Sequence, residues 1–295
     1  MDKELLRRVK RRERKRVARS FRVAGIVACV IFGIYAISLI YPLVWGLAMS
    51  LKSKTDYITD RFSFPTELHF ENYLSAFQEL TADGQNMFVM LFNSVWYSVG
   101  ATFLSVLVSS MTAYAVAKYK FFGRKFLFWA ALIALILPVM GNLPAQYKVS
   151  VQLGLYDSPW TILASAGAMG TNFMILYSFF KSLDWGYAEA AFIDGASNFR
   201  VFATIMVPLA ISPIAALALV EFTGRWADAM QPLMFLPSYP TLASGLYIYQ
   251  EASSRVLNYP VLFAGLFMAN IPIFVLYICF QDVLMDLRIG GATKG

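Results

Sequence analysis

The residues of this chain that could do chemistry gather in two places. Glu189-Ala190-Ala191 is followed by Asp194-Gly195-Ala196-Ser197 and, further on, by Pro208. These types suit contact rather than reaction. Glu189 and Asp194 offer charges for pairing, and Ala190 and Ala191 leave so little bulk that another protein's surface can approach the backbone. Gly195 accepts the positive φ that stops a helix, while Asp184 and Ser197 can cap the helices on either side. The stretch reads as helix, turn, helix, with two uses open to it: a docking knob or an ordinary helical hairpin connection. The second place is Glu221, Arg225, Trp226 and Asp228. Glu221 and Arg225 stand four apart, share a helix face and can pair. Charged groups at the end of an apolar run belong either to a substrate path or to an ion pair at the membrane interface, and both readings stand. No apolar run holds a nucleophile with a base or a pair of histidines, so no catalytic residue is assigned. His69 lacks a His, Cys or acidic cluster at ligand spacing, so no metal site is assigned either.

These groups must be positioned by apolar runs. With 58% hydrophobic and 15% charged among 295 residues, the composition is that of a polytopic membrane protein. Uncharged runs at 23–49, 87–117, 126–147, 158–180, 201–220 and 256–281 each reach about the 20 residues that cross a bilayer core. The stretch 229–250 is also long enough. However, Pro232, Pro237 and Pro240 with Ser238, Ser244 and Gly245 argue against a continuous helix, and it reads as an external loop partly sunk between helices. The 87–117 run would be about 46 Å long as one helix and must tilt or extend beyond the bilayer. Its Asn93, Ser94, Ser98, Thr102, Ser105, Ser109 and Ser110 face either other helices or a pathway. Pro138 and Pro144 interrupt the third run, and Ser158-Pro159 opens the fourth. Cys29 and Cys279 fall within spans and are expected to pack as small hydrophobes.

Charge sets the orientation. Of 25 Lys and Arg, eleven lie in residues 1–22, and this arm has scarcely an aromatic for stacking on bases, so nucleic acid is not expected as a partner. The arm reads as a cytoplasmic flank that can lie against anionic lipid headgroups of the bilayer. The run after it is too long for a signal-peptide core and lacks a small-residue cleavage site, so it is expected to be a retained span. The net acidic 50–86 then falls outside, and Lys118, Lys120, Arg124 and Lys125 mark the next cytoplasmic turn. Six spans place both termini in the cytoplasm.

The Glu189-to-Ser197 run, with Ile205 and Pro208-Leu209, resembles the EAA loop of binding-protein-dependent ABC importer permeases. Its Asp-Gly-Ala-Ser form is similar to the carbohydrate branch, in the smaller of two paired permeases. Phe62-Ser63-Phe64-Pro65 with Asn72-Tyr73, Leu137-Pro138, and the tail Gly290-Gly291-Ala292-Thr293-Lys294-Gly295 resemble the same branch. Three departures stand out: Ala227 where an Asn is usual beside Trp226, Thr293 where Val is usual, and Asp184-Trp185-Gly186 without a Pro before the loop.

The resemblance implies an all-α polytopic membrane protein with six transmembrane helices and the type I ABC importer permease fold, in the bacterial plasma (inner) membrane. It implies that Glu189, Ala190, Ala191, Asp194, Gly195, Ala196, Ser197 and Pro208 couple the chain to an ATPase. Glu221, Arg225, Trp226 and Asp228 then become candidates for a translocation path or external gate, and Gly290, Gly291 and Lys294 for the cytoplasmic tail. The implied partners are a second homologous permease, two copies of a cytoplasmic ATPase that hold ATP and Mg, and an extracellular or periplasmic sugar-binding protein. This chain has no Walker A loop and is expected to be neither an enzyme nor a holder of a cofactor. The expected division is a basic arm at 1–22, a six-span domain at 23–287 and a tail at 288–295. The domain would have an external loop at 50–86, a coupling loop at 182–200 and another external loop at 226–255. The competing class, a stand-alone channel or ion-coupled secondary transporter, needs ionisable residues near mid-span, and the first four runs have none. Trp160, Trp226, Tyr239, Tyr247 and Tyr249 serve either as sugar-stacking faces or as a membrane-interface belt.

Overall fold

A computed structural model describes residues 3–136, 143–167, 169–252 and 258–292, with side chains between 25 and 281. Pro138, Lys294 and residues 253–255 lie outside the described residues, as do the side chains of the basic arm. In chain order the helices are α1 (Lys3–Ser50), α2 (Lys54–Thr59), α3 (Glu71–Glu79), α4 (Met87–Lys118), α5 (Arg124–Ile136) and α6 (Leu143–Gln152). A 3-10 helix, Pro159–Ser165, precedes α7 (Thr171–Ser182), α8 (Gly186–Ile193) and α9 (Asn198–Val201). A π-helical segment, Phe202–Met206, leads into α10 (Val207–Leu209), α11 (Ile211–Ala227), α12 (Met230–Phe235), α13 (Leu242–Ala252) and α14 (Tyr259–Ala292). Among the described residues there is no strand.

Among the described residues, three helices are long and apolar enough to cross a membrane: Gly25–Ser50, Met87–Lys118 and Tyr259–Gln281. Asn198–Leu209 and Ile211–Ala227, bent by 79° at Ala210, make a fourth if counted as one span. The fourth apolar run is in shorter pieces than a reading by length suggests. The described parts of the third are α5, 13 residues, and the start of α6. The fourth opens as foreseen, with Ser158 accepting the Trp160 N–H at 3.3 Å and Pro159 in the first turn. It is then divided by Gly167 and Gly170, since glycine is the poorest helix former after proline, and α7 restarts for 12 residues.

The chain divides into two compact units. The first comprises Met1–Asn72 with Asn258–Ala264. Ala48, Met49 and Tyr57 form its buried cluster, where Trp45 meets Phe263 edge-on at 5.4 Å and Tyr57 stacks on Tyr259 at 5.1 Å. Lys52 is wholly buried, and its Nζ donates to the Asp60 carbonyl at 2.6 Å and to Ser63 Oγ at 2.9 Å. Burying a cation requires such partners. Asn72 Nδ2 donates to the carbonyls of Ser50 and Lys52, which ties the loop back to the end of α1. The Phe62 and Ser63 N–H groups hold the Asp60 carboxyl below the usual range. His69 does the same for Glu71, so the lone histidine makes a surface hydrogen bond.

The second unit comprises Tyr73–Leu257 with Gly265–Gly295, and α4 is its centre. Asn86 caps this helix by accepting the Val89 N–H. Its small face, including Ser94, Ser98, Ala101, Thr102, Ser105 and Ser109, is buried, and α4 packs against α7, α11 and α13. Small side chains let the helix backbones approach. Asn93 Nδ2 donates to the Pro240 carbonyl at 3.0 Å and Ser94 Oγ accepts the Leu242 N–H at 2.7 Å. The 229–250 stretch is therefore two helices joined by Leu236–Thr241, with Leu236, Leu242 and Ser244 buried. Gly245 lies so close to Met90 Sδ that an added Cβ would collide with it. Cys29 and Cys279 do not pack inside as expected; both are exposed, because α1 and α14 turn apolar faces outward.

Candidate functional site

The loop that carries Glu189 is built from local caps. Asp184 Oδ1 accepts the Gly186 N–H at 3.0 Å in the turn that leads into α8, whose N-cap is Trp185. Asp194 ends it, and Gly195 follows at φ 79°, where a Cβ would be strained. The Ala196 N–H reaches the Ala191 carbonyl at 2.9 Å and the Gly195 N–H reaches that of Phe192 at 3.1 Å, the Schellman pattern. Ser197 Oγ then accepts the Arg200 N–H and opens α9. Just beyond, the Val207 N–H bonds to the Phe202 carbonyl, five residues back. Pro208 has no N–H to offer, and a ring at that position disfavours a regular α turn before it.

The two alanines expected to leave a bare surface separate. Ala191 is buried with Ala188 in the core that includes Phe173, Leu176, Phe180 and Met206, while Ala190 and Glu189 are exposed. A helix as short as α8 is marginal alone, so burying this alanine side fixes which face points out. Tyr187 and Ile193 of α8 are exposed as well, Ile193 to 87%, and so is Phe199 of α9. Motif reading passed over these three. The signal available was their bulk beside the small or polar Ala188, Glu189, Ala190, Asp194, Gly195, Ala196 and Ser197. Behind the loop, Lys118 Nζ donates to the Leu183 carbonyl at 2.6 Å, and the Tyr119 hydroxyl donates to Asn198 Oδ1 at 3.1 Å.

The second group divides as well. Arg225 pairs with Glu221 at 3.0 Å, and Asn172 Nδ2 donates to the other Glu221 oxygen at 3.4 Å. Arg225 borders a cavity of about 860 Å³ together with Tyr97, Gln146, Gln231 and an apolar wall that includes Val149, Leu163 and Phe235. It also borders a smaller cavity of about 300 Å³ with Glu221, Ser105, Ser109 and Asn172, and Ala164 and Ser165 line both. Trp226 and Asp228 are placed elsewhere. The Trp226 Nε1–H donates to the Ala269 carbonyl at 2.9 Å in a buried setting, and Asp228 Oδ1 accepts the Met230 and Gln231 N–H groups and so starts α12. None of Trp160, Tyr239, Tyr247 and Tyr249 borders either cavity. Gln146 and Gln231 were hidden because a search of apolar runs for charge passes over amides. Of the tail, Gly290 and Gly291 continue the helical backbone of α14.

A helical chain with a capped loop of this form matches a known family. The model of the "binding-protein-dependent transport system inner membrane component" family aligns with residues 105–286. The chain belongs to that family. Among other members, the diacetylchitobiose uptake system permease protein NgcG of Streptomyces coelicolor is 31% identical over 265 residues, covering 88% of this chain and 84% of the relative. The trehalose transport system permease protein SugB of Mycobacterium tuberculosis is 28% identical over 258 residues, covering 86% and 92%. A solved bacterial ABC transporter, involved in the import of the acidic polysaccharide alginate, superposes on 90% of this chain and 97% of its own. The TM-score is 0.75 at 24% identity, which establishes a shared fold. This inner membrane component therefore has the helical fold of an ABC importer permease.

Proposed function

We propose that this chain is one permease subunit of an ATP-driven importer for a carbohydrate in the bacterial plasma membrane, with six spans and both termini cytoplasmic. The observation that carries the reading is family membership over 105–286, joined to relatives whose names specify sugars: diacetylchitobiose, trehalose and arabinooligosaccharides. In this reading a second permease completes the path, an external sugar-binding protein delivers substrate, and two ATPase subunits bind ATP and Mg. This chain itself performs no covalent chemistry.

The loop from Glu189 to Ser197, followed by Pro208, is the contact with the ATPase. It offers two exposed carboxylates, Glu189 and Asp194, beside the exposed Tyr187, Ile193 and Phe199. A ligand shifts an equilibrium only through contacts that differ between states, and an exposed, rigidly capped loop can supply them. The cavity bordered by Arg225, Gln146, Gln231 and Tyr97 is this chain's share of the path, where amides and a hydroxyl can meet sugar hydroxyls beside an apolar wall.

The test is purification through a tag on this chain in mild detergent, followed by identification of its companions and by uptake of labelled diacetylchitobiose and trehalose in the host. Co-purification of an ATPase and a second permease, with uptake lost on deletion of the gene, is the expected result. Recovery of the chain alone would overturn the reading. In the assembled complex, Glu189→Lys and Gly195→Asp should reduce uptake by about tenfold or more while sugar still binds the external protein. Normal uptake by both variants would remove the loop from the mechanism.

A further inference from the structure

The end of α4 holds both ends of the loop. At the entry, Lys118 donates to the carbonyl of Leu183, the residue that caps α7, and its ammonium lies 5.9 Å above the Trp185 ring. At the exit, Tyr119 donates to Asn198 Oδ1, and its ring meets Trp185 edge-on at 5.9 Å. Tyr114, just over a turn earlier, packs against Phe180 at 5.5 Å and Phe202 at 5.2 Å. Three residues, Tyr114 and Lys118 of α4 and Tyr119 that caps it, thus touch the segments on either side of α8. The same helix, 32 residues without a proline, carries Tyr97 to the larger cavity and Ser105 and Ser109 to the smaller.

We infer that Lys118 and Tyr119 form a latch that passes displacement of the loop along α4 to the cavities. The inference rests on the proposed reading of the loop as the contact with the ATPase. Lys118 acts through Leu183 and Trp185, so it is a positioning residue. A cation above an aromatic face that also donates to a carbonyl keeps hold of the loop through small rotations, because the ammonium has three donors on a flexible stem. The latch also stands beside Asp184-Trp185-Gly186, where this chain lacks the proline usual before such loops. Trp185, held by Lys118 and Tyr119, fixes the entry angle that a proline would otherwise set.

The experiment uses the complex purified through this chain from its native host, with Cys29→Ser and Cys279→Ser and a bimane fluorophore on Ser109→Cys. The stimulus is Mg-ATP with vanadate, and the readout is the change in bimane emission beside the hydrolysis rate. In Lys118→Met the emission change should fall about fivefold while the complex still hydrolyses ATP. Lys118→Arg, which keeps a donor and a cation over Trp185, should restore it. A full emission change in Lys118→Met overturns the latch, and so does an Arg variant as unresponsive as the Met variant. Should Lys118→Met fail to assemble, Tyr119→Phe keeps the ring and removes the Asn198 bond. It should lower the response about twofold, and an undiminished response would overturn the latch. An unaltered complex that carries no ATPase would sink the importer reading and the latch together. One that responds while Lys118→Met responds fully sinks the latch alone.

Discussion

Gly245 is set by what stands opposite it. A Cβ there would collide with the Met90 sulfur and would also touch Ala82, so α13 can lie against α4 only if this residue stays small. Gly245→Ala should destabilise the purified protein by about 1–3 kcal/mol, read from its thermal midpoint. Adding Met90→Ala should recover part of that loss, and the non-additivity of the double-mutant cycle is the evidence of direct contact. Chemistry that involves only sequence neighbours was legible at this scale. The stop at Gly195 and the cap at Ser197 follow from residue type, and so does the Glu221–Arg225 pair at its four-residue spacing. Chemistry that needs a distant partner was not. Nothing local announces the bond from the Trp226 indole to the Ala269 carbonyl, 43 residues on, or Lys52 as a buried cation with Asp60 and Ser63 as its acceptors.

At the scale of elements, α8 shows how a short helix acquires a definite outer face. Eight residues give too few hydrogen bonds for stability alone, and the burial of Ala188 and Ala191 supplies the rest. Ala191→Leu should therefore overpack the contact and lower the thermal midpoint by an amount worth about 1–3 kcal/mol. Ala190→Leu, on the exposed side, should leave stability nearly unchanged yet reduce co-purification of the ATPase. A variant pair that behaved alike in both assays would contradict this assignment of faces. Helices α4 and α14 were legible because their uncharged runs are long, and α14 continues through Pro272 as one helix. The fourth run divides into a 3-10 helix and α7, a division that counting uncharged residues does not show because it ignores the glycines at 167 and 170. The cavities escaped notice because α4, α6, α11 and α12 each contribute only a few lining residues, widely separated in sequence.

For the whole molecule, composition alone declared the class, and the clustering of eleven basic residues before residue 23 gave a direction to the chain. The proposed orientation makes a definite claim about access. With Cys29→Ser and Cys279→Ser as background, Thr66→Cys should react with a membrane-impermeant maleimide added to intact cells. Ser197→Cys should react only after the cells are opened, and the reverse pattern would invert the topology. The sugar itself was not legible, since selectivity in a cavity of this kind rests on amides and hydroxyls whose convergence only folding creates.

The π-helical turn ahead of Pro208 has a consequence for what sequence change this segment can absorb. Such a turn carries one residue more than an α-helix would use between the same endpoints. Residues 203 and 204 point outward, so side-chain replacement there is cheap. Removing one residue is a different matter: every position downstream would be turned by about 100° about the axis relative to the loop. What the segment stores is a count rather than a set of identities. Deleting Ala203 should abolish uptake, whereas Ala203→Ser should leave it intact.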